Sequence, residues 1–236
     1  MRLRVEPLPQ PGLRFDDVVL VVDVIRATST ATMLLEAGAR ALWLTDHLDK
    51  ARRLRQNGEV LVGEVGGLKP EGFDLGNSPL EARQAPVAGR VVVQSTTNGT
   101  KTAHLATQSA REVLLAALLN AKAAVQEALR RAQKEVAILC AGKEGALGLD
   151  DLYTAGVLAD LLQQEGLTPV GDATRLALEL CWHYLDPQRV LPLSEAAQAL
   201  KKVGLGADVA FCAQVNLSSR VARLKERQGE ALVFEG

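Results

Sequence analysis

The sequence Asp23-Val24-Ile25-Arg26-Ala27-Thr28-Ser29-Thr30 puts a carboxylate, a guanidinium and three hydroxyls within eight residues. A carboxylate there could hold a cation or orient water. An arginine offers a planar fork of donors suited to phosphate, carboxylate or sulfonate. A second cluster, Ser95-Thr96-Thr97-Asn98-Gly99-Thr100-Lys101, is rich in hydroxyls around Asn-Gly. Gly99 permits positive φ, and successive N–H groups before a helix can form an anion nest. The carboxylates Asp23, Glu64, Asp74, Asp150 and Asp151 form a third set. Oxygen ligands beside a phosphate suit Mg²⁺, which commonly takes one or two carboxylates, waters and substrate oxygens.

Each group also has a purely structural reading. Thr28 or Ser29 can cap a helix, Asp23 can serve a turn, and one hydroxyl of Thr96–Thr100 suffices as a cap. Asp150 can cap a helix whose dipole favours Asp151, Glu64 can pair with Lys69, and Asp74 can make an Asx-turn. Arg26 can pair with Asp23 or Glu64. Lys143 and Arg175 are weaker anion-binding candidates, and Cys140 reads as a small buried residue at a strand end.

The elements that must position these groups follow from the apolar pattern. Val18–Val22 reads as a strand buried on both faces, and Ala31–Ala37 as a helix stopped by Gly38. Further strands are expected at 41–44, 60–62, 91–93, 113–115 and 136–139, with helices at 48–56, 121–132 and from Asp150 to Gln164. That alternation predicts an α/β fold: three layers, α/β/α, around a largely parallel or mixed sheet. Helical patterns at 173–184, 194–203 and from 207 predict a helical C-terminal portion from about residue 170, with a terminal strand at 232–234. The whole chain, 1–236, reads as a single domain. The stretch from Val65 to Gly89 lacks periodicity but contains Gly72-Phe73-Asp74-Leu75-Gly76-Asn77-Ser78-Pro79, which predicts an ordered binding loop. The polar clusters recur at strand ends, so in a parallel sheet they would converge on one crevice.

Composition narrows the function. The 27 basic and 28 acidic residues leave a net charge of −1, which argues against broad binding to nucleic acid or an anionic membrane. No apolar run reaches the ~20 residues of a membrane span, and the N-terminus lacks a secretion-signal core. Three separated cysteines and three histidines show no disulfide or zinc spacing. A cytoplasmic location is expected; the oligomeric state stays open, a homo-oligomer included. The Gly-x-x-x-x-Gly-Lys-Ser/Thr loop is absent, and no dinucleotide fingerprint follows the first apolar strand. Ile25 stands where an aspartyl-phosphate phosphatase would carry a second Asp, and Ala146 where a cysteine phosphatase would carry Arg after Cys140. Metal-assisted attack by water is then the default chemistry.

Taken together, Asp23–Thr30, Gly63-Glu64, Gly72–Pro79, Thr96–Thr100 and Asp150-Asp151 with Gly156 occur in an order that resembles the 2-phosphosulfolactate phosphatase family. The resemblance covers most of the first ~165 residues and weakens beyond. It implies a Mg²⁺-dependent phosphatase converting (R)-2-phospho-3-sulfolactate to 3-sulfolactate and phosphate, a step of coenzyme M biosynthesis. Val65 and Asn216 depart from the polar and acidic residues expected there. On this reading Asp23, Arg26 and Glu64 are catalytic, and Asp23, Glu64, Asp74, Asp150 and Asp151 are the metal candidates. Thr28, Ser29, Thr30, Asn77, Ser78, Thr96, Thr97, Asn98, Gly99 and Thr100 would bind the phosphorylated substrate. The rivals are a phosphatase for another small phosphorylated hydroxy acid and a non-catalytic module that binds an anionic metabolite.

Overall fold

The computed structural model describes residues 1–236. In chain order the first half runs β1 (Arg2–Glu6), β2 (Val18–Val22), α1 (Ala27–Glu36), β3 (Ala41–Thr45), α2 (Leu48–Leu54), β4 (Val60–Gly63), α3 (Pro79–Arg83), β5 (Val91–Ser95) and α4 (Gly99–Ala106). Then come β6 (Glu112–Ala116), α5 (Ala121–Arg131), β7 (Glu135–Cys140), α6 (Leu149–Gln164), β8 (Thr168–Val170) and α7 (Asp172–His183). The chain ends with α8 (Pro187–Val190), α9 (Glu195–Lys202), α10 (Gly206–Cys212), β9 (Arg223–Gln228) and β10 (Ala231–Glu235).

All ten strands join one mixed sheet in the order β4-β5-β3-β10-β9-β6-β2-β7-β1-β8, and the fold is a three-layer α/β arrangement. One apolar cluster covers a single face, joining Val19 and Val21 of β2 to Val62 of β4 and Val92 of β5 through α1 and α4. The other face is covered in two parts. Helices α5, α6 and α7 pack on β2, β7 and β1, while α2 covers the β4–β5 end with Phe73. Val18–Val22 is buried at every position because both faces are covered, which is why it reads as a continuous apolar run.

Local chemistry sets the boundaries near the site. Helix α1 ends with the Ala39 N–H donating to the Leu34 carbonyl and Gly38 N–H to Leu35, a Schellman closure in which Gly38 has φ 88°. Helix α3 starts at Pro79 with Ser78 as its cap, the hydroxyl accepting the Glu81 N–H. The loop ahead of α3 is ordered, as expected: Phe73 is buried, and the N–H groups of Asp74 and Leu75 donate to the Leu61 carbonyl.

Two points differ from expectation. The helical C-terminal portion and the terminal strand at 232–234 are both present, the latter as β10, but β10 forms an unforeseen hairpin with β9 that is inserted between β6 and β3 in the middle of the sheet. Strand β9, Arg-Leu-Lys-Glu-Arg-Gln, has no apolar alternation because most of it is exposed, so only its pairing with β10 marks it as a strand. The hairpin also makes the sheet less parallel than the convergence reasoning assumed. Strands β6-β2-β7-β1-β8 form one parallel block and β4-β5-β3 another, and three antiparallel junctions separate them. The blocks therefore run in opposite senses along the ladder. Five strand steps separate β2 from β5, and at roughly 20–25° per step the twist accumulates to about 100–125°. Twist undoes most of the reversal and brings the carboxyl ends of both blocks back towards one region.

The entrances of β6, β2 and β7 are tied by Asp17. One carboxylate oxygen accepts from Arg111, and the other accepts the N–H groups of Gln133, Lys134 and Glu135 at 2.5, 2.6 and 3.3 Å. Burial alone would raise its pKa, but these donors outweigh burial and hold it below the usual value. The stabilisation is thus fully present above the ordinary carboxylate pKa of about 4 and is lost as pH falls through the lower, folded value. Asp17→Asn should lower stability by about 2–3 kcal/mol at pH 7. Urea midpoints of the two proteins should begin to converge below about pH 4 and meet once the pH has fallen through the lowered, folded pKa of Asp17.

Candidate active site

A cavity of about 220 Å³ opens where the ends of β2, β4, β5 and β7 meet, with α9 as its fourth wall. Asp23 and Arg26 line it from the turn after β2, in which the Ile25–Arg26 peptide is cis. The three hydroxyls of that turn do not face it. Thr28 donates to the Asp23 carbonyl at 2.9 Å, Ser29 to the Val24 carbonyl at 2.7 Å, and Thr30 to the Asn77 carbonyl at 3.1 Å. All three are buried inside α1, so the substrate-binding role expected of them gives way to fastening the turn. Only the sequence neighbourhood suggested otherwise, because hydroxyls look alike whether they point at a ligand or a carbonyl.

Arg26 is likewise more committed than its sequence implied. Its Nη1 donates to Asp208 of α10 at 2.6 Å and its Nη2 to the Gly67 carbonyl at 2.6 Å. Its partner is neither Asp23 nor Glu64. Ser78 does not line the cavity; its hydroxyl donates to the second oxygen of Asp208 at 2.6 Å. Asn77 does line it, with its side-chain oxygen accepting from Gln94.

The Thr96–Thr100 turn holds anions of the protein's own. One oxygen of Glu64 accepts the Thr97 N–H at 3.0 Å and its hydroxyl at 2.7 Å, while the other accepts the Gly67 N–H at 2.9 Å. Asp23 accepts the N–H groups of Ala27 and Gly99. The expected nest is therefore partly occupied by carboxylates, and Thr100 turns back to the Thr96 carbonyl. Two groups stay available to a ligand. The buried Thr96 hydroxyl has no hydrogen-bond partner, and Asn98 lines the cavity without capping α4. Gly99 serves by close approach: a Cβ there would lie 2.7 Å from Asp23 Oδ2 and 2.7 Å from Ala27 Cβ.

Asp150 and Asp151, in the first turn of α6, reach the cavity from the opposite side. Asp150 does not cap the helix, whose N-cap is Gly148. Asp151 is a clamp: its oxygens accept the N–H groups of Val24 at 2.8 Å and Gly142 at 2.9 Å, tying the turns after β2 and β7. Burial pushes Asp23 up to about 6, opposed by the Ala27 N–H and reinforced by the charge of Glu64. Burial, reinforced by the charge of Asp23, pushes Asp150 up to about 7; Asp151 is raised well above the usual carboxylate range by burial and by the charges of Asp150 and Asp23. Asp74 is not brought here. It accepts from both Arg55 and the Leu61 N–H, bracing the loop against β4.

No three His, Cys, Asp or Glu side chains are arranged to hold a metal ion by themselves. The donor set nevertheless fits a cation shared with a ligand. Five carboxylates (Asp23, Glu64, Glu144, Asp150 and Asp151) line the cavity against two cations, Arg26 and Lys143, and Arg26 is already paired with Asp208. Residues that sequence reasoning passed over complete the wall: Gly66 and Gly67 on one side, Glu144 on another, and Ala196, Ala199 and Leu200 on α9. Nothing in the helical pattern of α9 distinguished a cavity wall from ordinary core.

The family pattern described as 2-phosphosulpholactate phosphatase matches residues 5–227. The chain belongs to the 2-phosphosulfolactate phosphatase family. A relative from Thermus thermophilus named probable 2-phosphosulfolactate phosphatase is 59% identical over 235 residues, covering 100% of this chain and 99% of the relative. One of the same name from Deinococcus radiodurans is 47% identical over 226 residues, covering 95% and 93%. Another, from Carboxydothermus hydrogenoformans, is 34% identical over 220 residues, covering 92% and 90%. The match extends through the helices to β9, beyond the part in which the motifs lie.

Gly99→Ala should displace Asp23 and Ala27, with a loss of about 1–3 kcal/mol in stability. Turnover per folded molecule should fall with it; unchanged thermal midpoint and turnover would mean that the close approach is not required.

Proposed function

We propose that this chain is a Mg²⁺-dependent phosphoric monoester hydrolase that converts (R)-2-phospho-3-sulfolactate to 3-sulfolactate and inorganic phosphate. Membership of the family supports the reaction class and substrate. The observation that carries the reading in the site itself is the unpartnered, buried Thr96 hydroxyl, in a cavity where carboxylates outnumber cations. That cavity would repel a polyanionic ester unless divalent charge entered with it.

In this mechanism the phosphoryl group sits between the two available polar groups, Thr96 and Asn98, and the face of Arg26 that lines the cavity. Asp150, which lines the cavity, would hold Mg²⁺, which when bound supplies positive charge against the phosphoryl oxygens. Asp151 and Glu64 keep the turns in register from behind. Asp23, raised towards neutrality, orients the attacking water and takes up its proton. As the new P–O bond forms, the ester P–O bond breaks and the 2-oxygen of sulfolactate leaves with its electron pair. Arg26 offsets the charge that develops on the phosphoryl oxygens. Lys143, on the cavity wall, suits the carboxylate or sulfonate end of the substrate.

A phosphatase with this specificity fits coenzyme M biosynthesis in the cytoplasm, and no helix of the chain is long and apolar enough to cross a membrane. Phosphate release from phosphosulfolactate should require Mg²⁺, stop with chelator, and return when the metal is restored. Asp23→Asn and Arg26→Ala should each lower kcat by roughly 10²–10³-fold. Wild-type turnover in both variants would sink this site. A phosphorylated hydroxy acid turned over faster than phosphosulfolactate would overturn the substrate.

A further inference from the structure

Arg26 lines the cavity with only 3% of its side chain exposed, and the carboxylate that meets it, Asp208, is equally buried. Asp208 belongs to α10, 182 residues further along the chain, outside every motif that marks the site in the sequence. Its two oxygens do different jobs. One accepts from Arg26 Nη1, and the other accepts the hydroxyl of Ser78, the cap of α3. Arg26 is held a second time by the Gly67 carbonyl through Nη2. A guanidinium has five N–H donors, so two fixed bonds from different terminal nitrogens define its plane and leave donors for a ligand.

We propose that Asp208 is the positioning residue for Arg26: anchored by Ser78, it sets the guanidinium plane so that the unpaired N–H edge meets the phosphoryl group. The proposal rests on the phosphatase reading for its substrate, and it makes the C-terminal helices part of the working site. The geometry accounts for why a buried arginine keeps its orientation beside so many carboxylates. The bonds to Asp208 and to the Gly67 carbonyl hold its terminal nitrogens away from pairing with Asp23 or Glu64. It also accounts for Ser78, which has a second bond to make besides capping α3.

Asp208 acts through Arg26 and does not touch the substrate, so its effect must vanish when Arg26 is removed. The test is a double-mutant cycle of Asp208→Asn and Arg26→Ala, read as kcat and KM for phosphate release with Mg²⁺. In the wild-type background Asp208→Asn should lower kcat by about 10–100-fold with KM unchanged or lower, because removing a carboxylate leaves the cavity more attractive to an anion. In the Arg26→Ala background the same change should alter kcat by less than about 2-fold. Ser78→Ala, which keeps the ion pair, should give a smaller loss in the same direction, and it replaces Asp208→Asn in the cycle if that variant does not fold. Equal effects in both backgrounds overturn the proposal. Should wild-type protein leave phosphosulfolactate intact, the substrate reading fails by itself. The cycle is then read on the Kd for inorganic phosphate by calorimetry, where coupling again supports the proposal and additivity or absence of binding overturns it.

Discussion

Buried negative charge is the constraint on which the rest of this structure depends. Asp23, Asp150 and Asp151 are all almost fully buried around one cavity, and burial raises each of them. Like charges in a poorly solvated space would drive these turns apart if nothing held them. What holds them is backbone: Ala27 and Gly99 N–H on Asp23, Val24 and Gly142 N–H on Asp151. Glu64 is held in the same way by Thr97 and Gly67. The turns after β2, β4, β5 and β7 are thereby tied to one another by their own acidic side chains. That excess of carboxylate over free positive charge is the physical basis of the proposal that a divalent cation accompanies the anionic substrate.

The sheet makes such a meeting possible by an indirect route. A uniformly parallel sheet would put all strand ends on one edge, but the β9–β10 hairpin divides this one into blocks of opposite sense. Accumulated twist over the intervening strands then brings the ends together. Helices α1 and α4 fill the concave space between the blocks, and their N-terminal turns carry the Asp23–Arg26 and Thr96–Asn98 segments to the cavity. The C-terminal helices finish the enclosure, α9 with small apolar residues and α10 with Asp208.

Much of this was legible in the chain itself. Continuous apolar runs such as Val18–Val22 marked the central strands because both faces are covered, and glycine after α1 marked its end. Ten of the polar residues singled out do line the cavity: Asp23, Arg26, Glu64, Asn77, Thr96, Thr97, Asn98, Lys143, Asp150 and Asp151. Strand β9 was not legible, since an exposed strand carries no apolar alternation. Nor was the direction of a hydroxyl: Thr28, Ser29, Thr30 and Thr100 share the composition of a binding turn but satisfy nearby carbonyls. Asp74 sits within a family motif, yet its oxygens brace a loop.

Periodicity and turn chemistry are local properties, so the α/β class, the central strands and the identity of the strand-end clusters could be read from the chain, whereas the strands at Arg2–Glu6, Thr168–Val170 and Arg223–Gln228 could not. Tertiary structure alone decided which lone pair faces a ligand and which is taken by a backbone N–H. It also decided that Arg26 answers to Asp208 across 182 residues, and that a C-terminal hairpin sits at the centre of the sheet. Those outcomes depend on distances between segments far apart in the chain, and no local pattern encodes such a distance.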